Sequence, residues 1–182
     1  ANLETGEKQD LTQSFDYNAD AIQWLPDGKS LYMIACKEAV THIWQVGVAD
    51  KQIRQITSGQ YDYVSMHSVG NTMAAIRQSQ VNPSEVFAVN TQSGEATEIS
   101  FENKAILDQL NMPKSESRWI KTTDNKQMLT WVVYPPHFDP AKKYPAILYC
   151  QGGPQSTVSQ FWSYRWNLAI MASQGYIVVA PN

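Results

Sequence analysis

Two stretches of the 182-residue sequence echo each other at a spacing of 42 to 43 positions, and no other feature narrows the fold as much. Gly28 returns as Gly70, Leu31 as Met73 and Ile34 as Ile76, each 42 positions on. Ile43-Trp44 returns as Val86-Phe87 and Ile56 as Ile99, each 43 positions on. Within the first unit, apolar and polar residues alternate in Ala21–Trp24, Leu31–Ile34, Ile43–Val46 and Gln52–Ile56, which predicts short strands. Pro26-Asp27-Gly28 is a turn signal, because Pro presets φ and Gly tolerates a positive one. Asp50-Lys51 and Ser58-Gly59 break the chain again. Four short strands repeating at this period point to β-propeller blades, one at 18–60 and the next at 61–103. Asn2 to Thr12 reads as the last strand of a preceding blade, with Leu11-Thr12 matching Ile56-Thr57. A plain antiparallel sandwich is the competing fold, but agreement across two whole units favours the propeller. Closed rings need roughly 4 to 8 blades, so these units are expected to belong to a larger protein.

Composition removes other classes. Hydrophobic residues make up 43% and charged residues 17%, which excludes a disordered tail, a collagen-like fibre and a coiled coil. No run of 18 apolar residues is present to cross a membrane as a helix. The charge is −3 with both signs dispersed, so no basic patch offers itself to a nucleic acid. Cys36 and Cys150 cannot build a disulfide framework or a zinc site and are expected as buried free thiols. No EF-hand spacing or dinucleotide fingerprint occurs, so neither a metal nor a cofactor is implied. His42, His67 and His137 lie in strands or a proline loop and read as surface or satisfied core residues.

From about residue 103 the pattern changes. Ala105–Leu110 reads as a short helical turn that Pro113 stops. Strands are expected at Ser117–Lys121 and Met128–Tyr134, separated by a turn at Asp124-Asn125. Tyr144–Cys150 is apolar without alternation, as in a strand covered on both faces. A helix from Tyr164 to Gln174, capped at Gly175, and a buried strand at Tyr176–Ala180 complete a βαβ unit. Between the first strand and the helix stands Gln151-Gly152-Gly153-Pro154. Open α/β sheets bind ligands at the carboxyl ends of their strands. Consecutive glycines let a backbone N–H approach a ligand, where it can stabilise a developing oxyanion by roughly 3–4 kcal/mol. A tight turn with no chemistry is the alternative.

The stretch from Glu116 to Ser156 resembles the propeller-to-hydrolase junction of the prolyl oligopeptidase family of serine peptidases, in the branch of dipeptidyl and acylaminoacyl peptidases. The family pattern is met by Asp124-Asn125, Val133-Tyr134-Pro135, Lys143-Tyr144-Pro145 and Gln151-Gly152-Gly153-Pro154; WLPDGKSLYMIA also resembles its propeller. The resemblance implies a mixed fold, a partial β-propeller of about two blades over 1–114 followed by the start of an α/β-hydrolase domain over 115–182. It further implies cleavage near the amino terminus of short peptides by a Ser-Asp-His triad lying beyond Asn182. The Gly153 N–H would be one oxyanion donor and Gly152 would shape the turn. Gln151 stands where the family often has His. Phe161, Trp162 and Tyr164 would line a substrate cleft with Gln151, or else pack under the propeller. No Gly-x-Ser-x-Gly nucleophile elbow occurs in the sequence, so the chain alone is expected to be inactive. The implied partners are a peptide substrate and the remainder of its own chain, with no nucleic acid or membrane and the oligomeric state open. The compartment is open between periplasmic or secreted and cytoplasmic. The competing function is a non-catalytic propeller module that binds a protein.

Overall fold

The computed structural model describes every residue except 154 and 155. Eight of its strands form one sheet and four form another. The first sheet opens with an antiparallel meander of β1 (Asp20–Trp24), β2 (Ser30–Lys37), β3 (Val40–Gly47) and β4 (Ile53–Gln55). A second meander follows as β5 (Asp62–Val69), β6 (Thr72–Ser79), β7 (Asn82–Asn90) and β8 (Ala96–Glu98). One parallel bridge, Thr41 to Asp62, joins them.

The sequence repeat reappears as register. Ile34 pairs with Ile43 in the first meander, and Ile76 with Val86 in the second. Ile56 N donates to Ile43 O at 2.8 Å, as Ile99 N does to Val86 O at 2.9 Å. The Thr57 hydroxyl accepts the Ile43 N–H at 3.0 Å, and the Ser100 hydroxyl accepts that of Val86 at 2.8 Å. The step from 42 to 43 positions also has a structural cause. Lys37 pairs with Val40 and Ala35 with His42, but Ser79 pairs with Asn82 and Arg77 with Glu85. The extra residue is a β-bulge in β7, at Pro83-Ser84, where a proline without an N–H costs no ladder bond.

Alternation puts Tyr32 and Ile34 on one face of β2 and Met33 and Ala35 on the other. Tyr32, Ile34, Ile43 and Ile56 pack against Tyr63, Met73, Ala75, Phe87 and Val89 of the second meander. The Ile, Met, Phe and Val side chains among them contribute roughly 1.5–3 kcal/mol each when fully buried. Met33, Ala35, Trp44 and Val46 are covered instead by Leu11, Phe15 and Ala19. The strand expected at Asn2–Thr12 is therefore absent: residues 1–19 run as turns and irregular chain, and Leu11 packs as a cover without a ladder partner.

After the short helix α1 (Lys104–Leu107) the second sheet begins. Its elements are β9 (Lys114–Lys121), β10 (Gln127–Tyr134), β11 (Ala146–Leu148), the helix α2 (Leu168–Ser173) and β12 (Ile177–Pro181). The strand order is β11-β12-β10-β9. β9, β10 and β12 are antiparallel neighbours, whereas β11 and β12 are parallel and joined through α2. Leu129, Trp131, Val133, Val178 and Ala180 bury one face of this sheet against Leu168 and Ala172 of α2.

Three expectations need correction here. β11 is shorter than 144–150 and is not covered on both faces, since Leu148 is 62% exposed. Among the described residues β12 is its one neighbour, and an apolar run alone does not reveal which face a helix will cover. α2 starts at Leu168 instead of Tyr164, because the Asn167 side chain accepts the Ile170 N–H at 3.0 Å and caps it there. Ser163 Oγ accepts the N–H groups of Arg165 and Trp166, holding that stretch as a turn. Cys36 is half-buried and Cys150 is exposed, so the thiols do not form the buried pair expected.

Candidate functional site

The chain leaves β11 at Tyr149, and further on Val158 and Ser159 bond to the second and the first sheet respectively. The start of this loop is fixed by the Tyr149 N–H, which donates to Val179 O at 2.8 Å. Gln151, Gly152 and Gly153 follow, all exposed. Gly153 has φ +86, a left-handed conformation that glycine adopts without strain. A Cβ at Gly152 would meet nothing within 4 Å, so its surroundings are open. The turn is closed by Ser156, whose hydroxyl donates to Gly152 O at 2.6 Å and whose N–H donates to Gly153 O at 3.2 Å. Among the described residues no acceptor engages the Gly153 N–H. The Gln151 side chain accepts the Tyr149 hydroxyl at 2.8 Å. Pro154 lies outside the described residues.

Beyond the turn the loop is anchored. Val158 is fully buried; its carbonyl accepts the Trp131 indole N–H at 2.9 Å, and its N–H donates to Asn182 Oδ1 at 2.7 Å. The Ser159 hydroxyl donates to Asp62 Oδ2 at 2.5 Å. Gln80, at the tip of the β6–β7 hairpin, donates from Nε2 to Ser159 O at 2.8 Å, and its N–H meets Gln160 Oε1 at 3.3 Å. The Ser115 hydroxyl donates to Gln80 Oε1 at 2.6 Å, tying β9 into the same network. The tip of the β2–β3 hairpin works differently. Glu38 and Ala39 turn with φ of 51° and 59°, and Ala39 enters the core of the second sheet beside Trp131 and Val158.

The electrostatics follow burial. Burial pushes the Asp62 carboxyl above its ordinary value, and the Ser159 hydroxyl and Thr41 amide oppose that rise. His42 is buried against Thr57 and is lowered by burial to about 4. An imidazole held neutral inside the first sheet is no base for this loop. Glu116 is held below the usual carboxylate range by the Tyr134 hydroxyl at 2.6 Å and by Arg118. Among the described residues, no three His, Cys, Asp or Glu side chains gather to hold a metal ion. No helix among them is long and apolar enough to cross a membrane.

No protein-family model matches the chain. It is 56% identical over 182 residues to dipeptidyl-peptidase 5 of Porphyromonas gingivalis, covering all of this chain and 27% of that protein. It is 29% identical over 176 residues to dipeptidyl-peptidase 5 of Aspergillus fumigatus, covering 92% of this chain and 24% of that one. Among solved structures, the acylaminoacyl peptidase of Pyrococcus horikoshii shares its fold with a TM-score of 0.79 at 19% identity, over 97% of this chain and 27% of that one. Over its whole length the chain is thus similar in sequence to dipeptidyl peptidases and in fold to an acylaminoacyl peptidase. It spans about a quarter of the length of the curated relatives it matches.

In the structure the six candidate residues fall into two groups. Gly152, Gly153 and Gln151 share the exposed turn. Phe161 packs against the core of the second sheet, Trp162 is half-buried, and Tyr164 is 82% exposed. The Trp162 and Tyr164 rings meet edge to face at 5.9 Å. Reading the sequence placed Ser159 and Gln160 in a run that could line a cleft, but did not single out Asp62 or Gln80, which hold that run in place. Their partners lie 79 to 97 positions away, so neither periodicity nor a short motif marks them.

Proposed function

We propose that this chain is a segment of a serine exopeptidase that releases dipeptides or acylated residues from the amino terminus of short peptides. Residues 1–114 would supply two propeller blades, at 18–60 and 61–103, and residues 115–182 the opening of an α/β-hydrolase domain. The observation that carries the reading is the place of Gly152 and Gly153. They follow the carboxyl end of β11, which lies parallel to β12 and connects to it through α2. A turn at such a crossover can aim a backbone N–H at a bound carbonyl, whereas a hairpin turn between antiparallel strands would not.

In this reading the Gly153 N–H donates to the oxyanion of the tetrahedral intermediate, and the open space around Gly152 admits the substrate carbonyl. Gln151, Phe161, Trp162 and Tyr164 contribute the adjacent wall. The nucleophilic Ser, its His and the Asp belong to other parts of the enzyme. The propeller limits entry to short peptides. The relatives named dipeptidyl-peptidase 5 support the peptidase class.

Two measurements test this. The full-length enzyme should turn over dipeptidyl chromogenic substrates, while the purified 182-residue chain should not. On adding a peptidyl boronate to the full-length enzyme, the Gly153 amide resonance should shift strongly as its proton meets the boronate oxygen. Turnover by the 182-residue chain, or an unmoved Gly153 amide, would defeat the proposal.

A further inference from the structure

We propose that Asp62 is a positioning residue for the loop that carries Gly152 and Gly153, so that a carboxylate of the first sheet sets the geometry of a turn attached to the second. The inference rests on the role of the Gly153 amide given above.

Asp62 opens β5 at the single bridge between the meanders. It is 4% exposed, and among the described residues no Lys, Arg or His forms an ion pair with it. Its two oxygens are divided between the two sides of the junction. Oδ1 accepts the Thr41 N–H at 2.9 Å, within the first sheet. Oδ2 accepts the Ser159 hydroxyl at 2.5 Å, from the loop attached to the second sheet. A leucine of similar size would fill this place with no polar group to dehydrate. What the carboxylate adds is direction, since each oxygen accepts along its own lone-pair axes and fixes where its donor must sit.

The path from Asp62 to the turn is short and braced. Ser159 is held at its hydroxyl by Asp62 and at its carbonyl by Gln80. Val158 is held on both sides of its peptide by Trp131 and Asn182. Ser156 then bonds directly to the carbonyls of Gly152 and Gly153. Without the Asp62 bond, only the Gln80 contacts hydrogen-bond this stretch to the first sheet, and it loosens. A displacement of about 1 Å in a catalytic group costs on the order of 100-fold in rate.

The test uses the full-length enzyme with Asp62→Ala, Asp62→Asn and Ser159→Ala. In Asp62→Ala, kcat should fall roughly 10- to 100-fold, with KM within about twofold of wild type. Amide hydrogen exchange at Ser156–Gln160 should quicken at least about tenfold while β2, β3 and β6 keep their protection. Asp62→Asn keeps one acceptor oxygen and should recover part of kcat. Ser159→Ala, which removes only the hydroxyl, should show the same pattern more weakly and covers the case in which Asp62→Ala does not fold. Unchanged exchange at Ser156–Gln160 in the folded variants would overturn the inference and leave the Gly153 reading intact. Faster exchange with unchanged kcat would overturn it too. If the boronate leaves the wild-type Gly153 amide unmoved, the reading itself has failed.

Discussion

The two meanders share a framework and differ at the ends that face the second sheet. Strand pairing, the crossing bonds from Ile56 and Ile99, and the hydroxyl caps of Thr57 and Ser100 agree position by position. The hairpin tips do not agree. The β2–β3 tip is a tight left-handed turn that buries Ala39 in the second core. The β6–β7 tip carries a bulge behind it and reaches the same region through the polar side chain of Gln80. The buried partner of the hydroxyl cap differs as well: His42 stands beside Thr57, and Glu85 beside Ser100. A repeated unit thus keeps what makes it fold and varies what makes it a neighbour.

Equal register does not mean equal burial, and the largest expected effect exploits that. Ile43 and Val86 occupy the same place in their meanders, but Ile43 is fully buried and Val86 only half-buried. Ile43→Ala should destabilise the chain by about 2–5 kcal/mol, the range for truncating a buried branched side chain. Val86→Ala should cost less than about 1.5 kcal/mol. Urea unfolding of both variants gives the two values. Similar losses would mean that the meanders are energetically interchangeable and that the contrast drawn here is only geometric.

How much of this was legible in the sequence depends on the range of the interaction. The repeat was readable because apolar positions such as Leu31 and Met73 recur with the strand period, and local packing imposes that period. Turn residues were readable for the same reason: Gly28, Gly70, Asn125 and Gly175 all have positive φ, as their neighbours suggested. The Gly152-Gly153 turn was marked by its composition. The buried place of Ala39 was not, because nothing near it in sequence announces Trp131 or Val158. Nor was the bond from Ser159 to Asp62, across 97 positions. The short β11 and the late start of α2 were misjudged because an apolar run fixes neither the number of covered faces nor the residue that caps.

The caps make a second, pH-dependent contrast. Burial lowers His42 to about 4, below the 6.5 of a free imidazole. As pH falls, the unfolded chain takes up this proton first, so acid favours unfolding. The contribution of His42 is complete above about pH 6.5, declines between 6.5 and 4, and levels off below that. The full loss is about 3 kcal/mol, at roughly 1.4 kcal/mol per pH unit. Burial raises Glu85, but the Ser100 hydroxyl and the Asn103 amides outweigh it and hold this carboxyl below its usual range. Its contribution is therefore present above the ordinary carboxylate value and is lost only as pH drops through the folded one, in a more acidic window. Urea midpoints of wild type and His42→Gln between pH 7 and 4 should diverge, with the variant showing the flatter profile. Parallel profiles would show that His42 titrates normally and that the two caps respond alike.

The smallest effect separates the two turns that close the outer hairpins. Lys51 and Gly94 are equivalent: Lys51 N donates to Gly47 O at 3.1 Å, and Gly94 N to Asn90 O at 2.8 Å. Both have left-handed backbones, with φ of 56° and 77°. Their surroundings are opposite. A Cβ at Gly94 would lie 2.0 Å from the backbone oxygen of Ile56, at the end of the first meander, whereas Lys51 already carries a side chain and is exposed. Gly94→Ala adds a left-handed penalty of about 1–2 kcal/mol to a displacement of that backbone, so a loss of about 2 kcal/mol or more is expected. Lys51→Gly removes the same penalty but adds about 0.5–1 kcal/mol of chain entropy to the unfolded state, leaving a net gain of under about 1 kcal/mol. Opposite signs in thermal unfolding would establish that the second meander leans on the first at this turn. A Gly94→Ala variant as stable as wild type would show that the close approach to Ile56 is readily relaxed, and the meanders would then be less tightly stacked than the repeat suggests.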